Sequence, residues 1–333
     1  MHSRTLVTFG ETMGRLDADG IGLLDGVRPL SLKLAGAESN VAIAAARLGA
    51  DVTWVGRVGP DGVGDLIERR LRGEGVRTRA LRDAAFTGLM ISSRRTSAGV
   101  RVDYHRAGSA GSRLRPSDLP RDLIAGAGVL HVTGITPALS AGAREATFYA
   151  VEVARAAGVT VSLDINHRAK LWSAQEAAPV LRDLVRLADL VFAGPEEARL
   201  VLHPATEDDR TVAPEADNGA DRARSSLALA HAVAALGPAT VVIKDGPRGA
   251  VAVVEGGEHL APPVPVQAVD PVGAGDAFVG GYLADLLAGA DPGQCLTTAA
   301  RTGAYAVTVP GDCEHLPYRH ELTAFAAAED VAR

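Results

Sequence analysis

The stretch DPVGAGDAF, which begins at residue 270, places the carboxylate of Asp276 directly after the nearly bare backbone of Gly273, Ala274 and Gly275. Apolar residues then recur at helical spacing. The glycine turn therefore lies at a predicted helix N-terminus, where the first N–H groups lack partners and the helix dipole is positive. Such a turn can bind an anion on which the carboxylate acts, but aspartate is also a common helix cap. This stretch alone leaves both interpretations open.

Two better-known phosphate motifs do not match this turn. A Walker-type loop needs a lysine after a glycine, whereas Lys33, Lys170 and Lys244 all follow apolar residues. A dinucleotide-binding turn needs Gly or Ala where Phe278 stands, and it follows a first strand rather than the proline-rich APPVPVQAV. A nicotinamide oxidoreductase is therefore disfavoured.

Short apolar runs alternate with helical patterns along most of the chain. We expect buried strands near residues 6–9, 51–56, 128–134, 158–166, 188–194 and 239–246. Helical spacing predicts helices over residues 38–48, 63–72, 141–157 and 174–187. This alternation is typical of an α/β doubly wound fold, in which helices flank a mostly parallel central sheet.

Three segments interrupt the alternation. Residues 13–34 and 86–106 contain glycines and polar-faced strands, so we expect them to form a small β appendage over one edge of the core. Residues 203–226 are polar and rich in Pro and Asp, which predicts a mobile surface insertion. The α/β core, which includes that insertion, then comprises residues 1–12, 35–85 and 107–333.

Composition narrows the class of protein. The chain of 333 residues has a net charge of -6, no basic run suited to nucleic acid and no stretch of 18 apolar residues that could span a membrane. Its start lacks a signal-peptide pattern. Cys295 and Cys313 match neither a zinc nor a redox spacing. We expect a soluble cytoplasmic protein with two free thiols and no nucleic-acid or membrane partner.

Two long motifs carry a specific resemblance. DPVGAGDAFVGGYLADLL, from residue 270, resembles the C-terminal signature of the ribokinase-like (PfkB) carbohydrate kinases. AGAESNVAIAAARLGADVTWVGRVGPDGVGD, from residue 35, resembles their N-terminal signature. The order and spacing of the two motifs also fit, so the chain is similar to that family over nearly its whole length. The resemblance implies the ribokinase-like fold.

The resemblance also implies a reaction. In that family the aspartate of Gly-Ala-Gly-Asp is the catalytic base, here Asp276, and the N–H groups of Gly273, Ala274 and Gly275 would form the anion hole. Phosphoryl transfer has a loose transition state, so positioning and charge stabilisation carry most of its acceleration. The implied cofactors are ATP and Mg²⁺, and a monovalent cation is a further candidate.

Further motif positions imply the two halves of the site. The ATP side would comprise Asn166, Arg168, Lys244, Gly246, Arg248, Gly249, Gly273, Ala274, Gly275, Asp276 and Ala300. The acceptor side would comprise Gly36, Ala37, Glu38, Ser39, Asn40, Met90, Tyr104, His105, Arg106, Arg168, Asp276 and Asp312. Glu197 would contact magnesium indirectly. The alternatives are a solvated strand-end role for Lys244, a solvent-facing Asn40 and a helix-capping role for Glu197.

Arg106 and Arg168 predict the charge of the acceptor. Two guanidinium groups in one cleft would suit a carboxylate, which a planar guanidinium can bind through two hydrogen bonds. The alternatives are a solvated Arg106 and an Arg168 that pairs with Asp164. Together with TGITPALS and PGDCEHLPYR, the two arginine segments resemble the 2-keto-3-deoxygluconate kinases of the family. This implies transfer of the γ-phosphoryl group of ATP to the 6-hydroxyl of that sugar acid or of a close relative.

Four positions depart from the pattern of these relatives. Met90 and His105 stand where tyrosine is found, and Gly194 and Ala300 stand where asparagine is found. The sequence therefore leaves gluconate-type and galactonate-type acceptors open. It also leaves open a kinase of a neutral sugar, such as ribose or fructose, and a non-catalytic protein that binds a sugar acid. The resemblance implies that residues 13–34 and 86–106 form a β-sheet lid over the site. Because the lid of relatives often forms a dimer contact, we expect a homodimer or a higher homo-oligomer.

Overall fold

The computed structural model describes residues 4–22, 24, 29–96, 99–202, 219–323 and 325. The predicted surface insertion lies largely outside these ranges, because residues 203–218 are not described. The last residues of that predicted segment, 219–226, begin a helix, and Ser226 within it is buried. The alanine-rich sequence that follows favours this helix and carries it onto the core.

A nine-stranded sheet forms the centre of the described chain. Its strands, in spatial order, are β13 (Gly257–Ala261), β12 (Ala250–Val254), β11 (Thr240–Lys244), β10 (Leu190–Ala193), β9 (Thr160–Asp164), β8 (Val129–Thr133), β1 (Thr5–Phe9), β4 (Asp51–Val58) and β5 (Arg77–Arg82). The strands from β11 to β5 are parallel, while β12 and β13 add an antiparallel hairpin at one edge. The predicted mostly parallel central sheet is confirmed.

Helices bury both faces of this sheet, which explains the continuous apolar runs of its strands. Every residue of β8 and β10 is buried. Along β1, Val7 and Phe9 enter one apolar core and Leu6 enters the other. Strands are added first on one side of β1 and then, from β8 onward, on the other side. Such a reversal opens a crevice at the carboxyl ends of the strands, where α/β proteins bind ligands.

The helices predicted over residues 38–48, 63–72, 141–157 and 174–187 are present, with bounds that differ by no more than one residue, and so is the helix predicted after the glycine turn. The helices of the structure are α1 (Ala37–Arg47), α2 (Gly62–Gly73), α3 (Arg121–Ala125), α4 (Thr136–Leu139), α5 (Ala141–Ala156), α6 (Ala174–Leu187), α7 (Pro195–Leu202), α8 (Gly219–Ala234), α9 (Ala274–Ala288) and α10 (Pro292–Ala306). In the ranges that the structure describes, no helix combines the length and the apolar character needed to cross a bilayer.

The two polar-faced segments form a separate small sheet. Its strands, in spatial order, are β3 (Leu30–Ala35), β2 (Met13–Ile21), β6 (Leu89–Thr96) and β7 (Gly99–His105). Arg15 lies opposite Lys33 and Met90, whereas the next residue, Leu16, lies opposite Leu32 and Ile91. Since successive side chains point to opposite faces, Arg15 lies on one face of this sheet, while Leu16 and Leu32 form an apolar patch on the other.

A buried histidine gives the larger sheet an expected pH dependence. His131 in β8 is fully buried, and its Nδ1 lies 3.0 Å from Oγ of Ser162. Burial, assisted by the positive charge of Lys244, lowers the pKa of His131 from 6.5 to about 3. The folded protein therefore holds His131 neutral, while the unfolded chain takes up a proton below about pH 6.5.

We expect the free energy of unfolding to fall as the pH drops from about 6.5 towards 3, with a contribution from His131 of up to about 1.4 kcal/mol per pH unit. Urea unfolding between pH 4 and pH 8 measures this slope. The slope should be shallower in His131→Leu, whatever its stability at pH 8, and unchanged in His320→Leu, which alters an exposed histidine. Equal slopes in His131→Leu and the unaltered protein would contradict the prediction.

Candidate active site

A cleft of about 580 Å³ opens between the small sheet and the carboxyl-terminal edge of the larger sheet. Of the residues predicted from the sequence, those that line it are Gly36, Ala37, Asn40, Met90, Tyr104, Arg106, Asn166, Arg168, Glu197, Lys244, Gly273, Gly275, Asp276 and Asp312. The structure therefore brings residues of the predicted ATP side and of the predicted acceptor side into one space. This space lies on the side of the sheet where the reversal of strand order predicts a ligand site.

Asp276 lies in the first turn of α9, and it is buried although it lines the cleft. Its Oδ2 accepts a hydrogen bond of 2.8 Å from Nδ2 of Asn40, and its Oδ1 accepts a longer one of 3.4 Å from Asn166. Burial raises the pKa of Asp276, while Asn40 and the positive charges of Arg168 and Lys244 oppose that rise. Its bonds thus run to other elements, and within the described chain the carboxylate accepts no N–H of its own helix, unlike a helix cap.

Two glycines allow backbone segments to meet at the cleft. Gly273 has a φ of 79°, in the left-handed region, and a Cβ there would overlap the carbonyl oxygen of Asp312. A Cβ on Gly36 would lie 2.7 Å from the carbonyl oxygen of Glu11, closer than any real contact. Both turns therefore need glycine, because the backbone of Asp312 packs against Gly273 and the backbone of Glu11 packs against Gly36.

The turn before α9 presents unpaired backbone donors. The first regular helical bond runs from the N–H of Ala277 to the carbonyl of Gly273 at 2.9 Å. Among the described residues, the N–H groups of Gly273, Gly275 and Asp276 have no protein acceptor, whereas that of Ala274 donates to Pro271 at 3.4 Å. These free donors and the positive end of the α9 dipole make this turn suited to an anion.

Lys244 lies beside the same turn. Its Nζ is 2.8 and 2.7 Å from the two carboxylate oxygens of Asp164, and a Cβ on Gly275 would lie 3.6 Å from it. Burial alone lowers the pKa of Lys244, but the nearby carboxylates of Asp164, Glu197 and Asp276 together outweigh burial and raise it. Burial raises the pKa of Asp164 to about 6, against the attraction of Lys244. Lys244 is thus a largely buried, ion-paired cation, and the alternative of a solvated strand-end lysine is wrong.

Glu197 joins two strand ends. Its Oε2 accepts the N–H of Gly194 at 2.7 Å, directly before α7, and its Oε1 accepts the N–H of His167 at 2.9 Å. The first contact is the helix-capping role that the sequence left open. The second holds the backbone next to Asn166, which has a φ of 40° that asparagine tolerates better than most residues. Within the described ranges, no group of three or more His, Cys, Asp or Glu side chains could hold a metal ion.

The two predicted arginines line the same cleft but differ in their partners. Nε of Arg106 donates to Oε2 of Glu11 at 2.7 Å, and the two side chains form a largely buried ion pair. The Arg168 side chain has no hydrogen bond or ion pair to any described residue, and it is exposed. The alternative in which Arg168 pairs with Asp164 is wrong, because Lys244 occupies both oxygens of that carboxylate.

Asp312 lies opposite the α9 turn and is held by Arg15, a residue of β2. Burial raises the pKa of Asp312 to about 7 against the attraction of Arg15, and the negative charges of Asp276 and Glu314 raise it further. Asp312 therefore takes up a proton at a higher pH than an ordinary aspartate does. A group that bonds to it in the cleft can change its protonation.

Eight predicted residues do not line the cleft: Ala274, Glu38, Ser39, His105, Gly246, Arg248, Gly249 and Ala300. Glu38 is fully buried and accepts hydrogen bonds from Thr133 and Thr136. Ser39 donates to the carbonyl of Gly36 and so shapes the turn. His105 is exposed, because the alternation of β7 sends it to the opposite face from Tyr104. The binding roles of all eight stay predictions.

The residues that line the cleft but were missed by the sequence reasoning include Glu11, Arg15 and Asp164. Glu11 and Asp164 each stand at the carboxyl end of a predicted strand, so strand ends were a usable signal for both. Arg15 has no such signal, because it lies inside a strand of the small sheet. Its place in the cleft depends on the packing of the Asp312 segment against that sheet.

Known proteins are similar to this chain in sequence. Residues 3–319 match the model of the pfkB family of carbohydrate kinases. The chain is 37% identical over 328 residues to a 2-dehydro-3-deoxygluconokinase of Bacillus subtilis, which covers 97% of this chain and 95% of that protein. It is 36% identical over 309 residues to a 2-dehydro-3-deoxygalactonokinase of Haloferax volcanii, with 92% of each chain covered.

Solved structures of carbohydrate kinases have the same fold as this chain. A 2-dehydro-3-deoxygluconokinase from Thermotoga maritima superposes with a TM-score of 0.85 at 29% identity, over 98% of this chain and 100% of that chain. A fructokinase with bound ATP from Xylella fastidiosa superposes with a TM-score of 0.81 at 26% identity, over 98% of this chain and 99% of that chain. The predicted ribokinase-like fold is confirmed, and the chain belongs to the pfkB family of carbohydrate kinases.

Proposed function

We propose that this carbohydrate kinase transfers the γ-phosphoryl group of ATP to the 6-hydroxyl of 2-keto-3-deoxygluconate or of a closely related keto-deoxy sugar acid. The observation that carries the proposal is a single cleft that contains the buried Asp276, the free N–H groups of α9 and the unpaired Arg168. The names of the two curated relatives support this acceptor class, since both are named for a 2-dehydro-3-deoxy sugar acid.

Asp276 is the base in this proposal. Its carboxylate takes the proton of the 6-hydroxyl while that oxygen bonds to phosphorus and the bond to ADP breaks. Asn40 and Asn166 donate to its two oxygens, which fixes the carboxylate before the acceptor binds. Burial raises its pKa, so it is a stronger base than a surface aspartate.

The α9 turn and Lys244 stabilise the charge on the group in transfer. The predicted anion hole consisted of the N–H groups of Gly273, Ala274 and Gly275. The bond of Ala274 to Pro271 favours Gly273, Gly275 and Asp276 as the donating set. These donors stand ready before the reaction, so they cost no reorganisation in the transition state. Asp164 keeps Lys244 charged and over the same turn.

ATP and Mg²⁺ fit the residues of this cleft. The dipole of α9, Lys244 and Arg168 supply positive charge for phosphates, and Gly275, which lacks a Cβ beside Lys244, leaves their approach open. When bound, ATP supplies the phosphoryl group and Mg²⁺ offsets the charge of its phosphates. Both oxygens of Glu197 already accept backbone N–H groups, so we assign it a contact with Mg²⁺ through water. The monovalent cation stays a prediction.

Arg168 is the main determinant of an acidic acceptor in this proposal. Its positive charge has no partner among the described residues, whereas Glu11 offsets that of Arg106. A carboxylate of the acceptor therefore gains most from Arg168. Oδ1 of Asn40 is buried and has no partner in the described chain, so it can accept a hydroxyl of the sugar. Asp312 faces the same space and can accept another.

Two other functions remain as alternatives. The similarity to a fructokinase and the neutralised Arg106 favour a kinase of a neutral sugar. A non-catalytic protein that binds a sugar acid is the second alternative, and the buried, oriented Asp276 speaks against it. Both alternatives use the same cleft, so turnover with different acceptors distinguishes them.

We also propose that residues 13–34 and 86–106 act as a lid that excludes water from the cleft, and that the outer face of this lid joins two copies of the chain. Leu30 and Leu32 are each 46% exposed on β3, and Leu32 lies opposite Leu16 on the outer face. An exposed apolar patch of this kind is suited to an interface between identical subunits. A cytoplasmic location stays part of the proposal.

A panel of acceptors, assayed by ADP release, tests the acceptor class. We expect kcat/KM for 2-keto-3-deoxygluconate or 2-keto-3-deoxygalactonate to exceed that for fructose and ribose at least about a hundredfold, because neutral sugars cannot pair with Arg168. Arg168→Met should remove most of that preference. Arg101→Met, which alters an exposed ion pair of the small sheet, should not. A preference for ribose or fructose would contradict the proposal.

Asp276→Asn tests the base. We expect kcat to fall about a thousandfold or more, because the amide cannot take the proton, while calorimetric binding of the sugar acid changes by less than about threefold. Asp183→Asn, the same change on the surface of α6, should leave kcat as it is. Unchanged turnover in Asp276→Asn would rule out this residue as the base.

Sedimentation of the purified protein tests the lid interface. We expect a dimer at micromolar concentration, and Leu32→Asp should shift it towards monomer, because a charge would be buried in the interface. Leu260→Asp, at an exposed position of β13, should leave the dimer intact. A monomeric parent protein, or a Leu32→Asp variant that stays dimeric, would refute the interface.

A further inference from the structure

We propose that Arg15 is a positioning residue for phosphoryl transfer, through which the small sheet aligns Asp312 and the turn before α9. The inference rests on the proposed function, since it assigns those two features to the acceptor and to the phosphoryl group. Arg15 belongs to none of the motifs that identify the family. Its place in the structure alone suggests the role.

Arg15 is 3% exposed and touches carboxylates from two parts of the chain. Its Nε donates to Oδ1 of Asp17 on the same strand at 2.6 Å, and another nitrogen donates to Oδ1 of Asp312. A third nitrogen lies 3.8 Å from Oδ2 of Asp270. Two of the three carboxylates therefore come from loops of the core, more than 250 residues further along the chain, and the guanidinium joins the small sheet to these loops.

The two core carboxylates belong to the backbone that shapes the anion site. The carbonyl of Asp312 packs so closely on Gly273 that a Cβ would overlap it. Asp270 accepts the N–H of Val272 at 3.2 Å and that of Gly311 at 3.4 Å. Asp270 directly precedes the turn that carries the free N–H groups, and Asp312 packs against that turn. Displacement of either aspartate would therefore shift the turn.

A purely structural role for Arg15 is the competing interpretation. Buried ion pairs often contribute little net stability, and an apolar side chain can replace them without loss of the fold. Arg15 and Asp312, however, both line the cleft, where an apolar replacement would leave the buried Asp312 carboxylate facing Asp276 and Glu314 without a cation. The two interpretations therefore differ in what happens to the protonation of Asp312.

Arg15 also links closure of the small sheet to the site. Since Arg15 lies in β2, its bonds to Asp312 and Asp270 exist only while the small sheet lies against the core. The α9 turn is thus held in place while the sheet covers the cleft. This coupling would prevent transfer of the phosphoryl group to water while the sheet is open.

Arg15→Met, Arg15→Lys and Arg101→Met separate the two interpretations. We expect kcat/KM for the best acceptor of the panel to fall about a hundredfold in Arg15→Met, because loss of alignment on the scale of an ångström costs that much. The acid limb of its pH profile should move up by about one pH unit, since the lost cation raises the pKa of Asp312. Arg15→Lys should recover part of both effects, and Arg101→Met, in an exposed pair, should show neither.

Calorimetric binding of MgATP without acceptor separates this inference from the proposed function. Arg15→Met should weaken that binding at least about fivefold relative to Arg101→Met, because the α9 turn loses its support. If the acceptor panel favours a neutral sugar, the proposal of an acidic acceptor is refuted. The role of Arg15 is then tested by kcat/KM for the preferred sugar and by the affinity for MgATP. A variant Arg15→Met that keeps the parental pH profile and MgATP affinity would overturn the positioning role, as would a fall in activity that Arg15→Lys does not relieve.

Discussion

The close approach of α1 and α9 is the constraint on which the site depends. Gly280 lies where α9 crosses α1, and a Cβ there would overlap the side chain of Ala44 and lie 2.9 Å from the carbonyl of Val41. This contact brings the N-terminal ends of the two helices together, so that Asn40 of one bonds to Asp276 of the other at 2.8 Å. A larger residue at Gly280 would separate the two helices and break the hydrogen bond from Asn40 to Asp276.

The charges of the cleft follow from burial. A buried charge is costly unless a partner offsets it, and each buried cation of the site has its own carboxylate. Lys244 has Asp164, Arg106 has Glu11, and Arg15 has Asp312. Arg168 remains without a partner among the described residues because it is exposed to water, which solvates its charge until an anion arrives.

Local features of the sequence predicted much of this arrangement. Continuous apolar runs predicted the strands that helices cover on both faces, and apolar spacing predicted α1, α2, α5 and α6. The glycine turn before Asp276 predicted unpaired donors at a helix N-terminus, because that property depends on the turn itself. Two motifs at the right separation predicted the family, since their coincidence is far more specific than either one.

The sequence by itself therefore determined the elements, their alternation and the chemistry at each strand end, because these depend on neighbours within a few residues. The tertiary structure alone decided the pairings. Glu11 meets Arg106 across 95 residues and Arg15 meets Asp312 across 297, and no local pattern relates such distant positions. It also placed Glu38 beneath the cleft rather than in it, bonded to Thr133 and Thr136. Which charges stay free for a ligand depends on which partners the fold has already supplied.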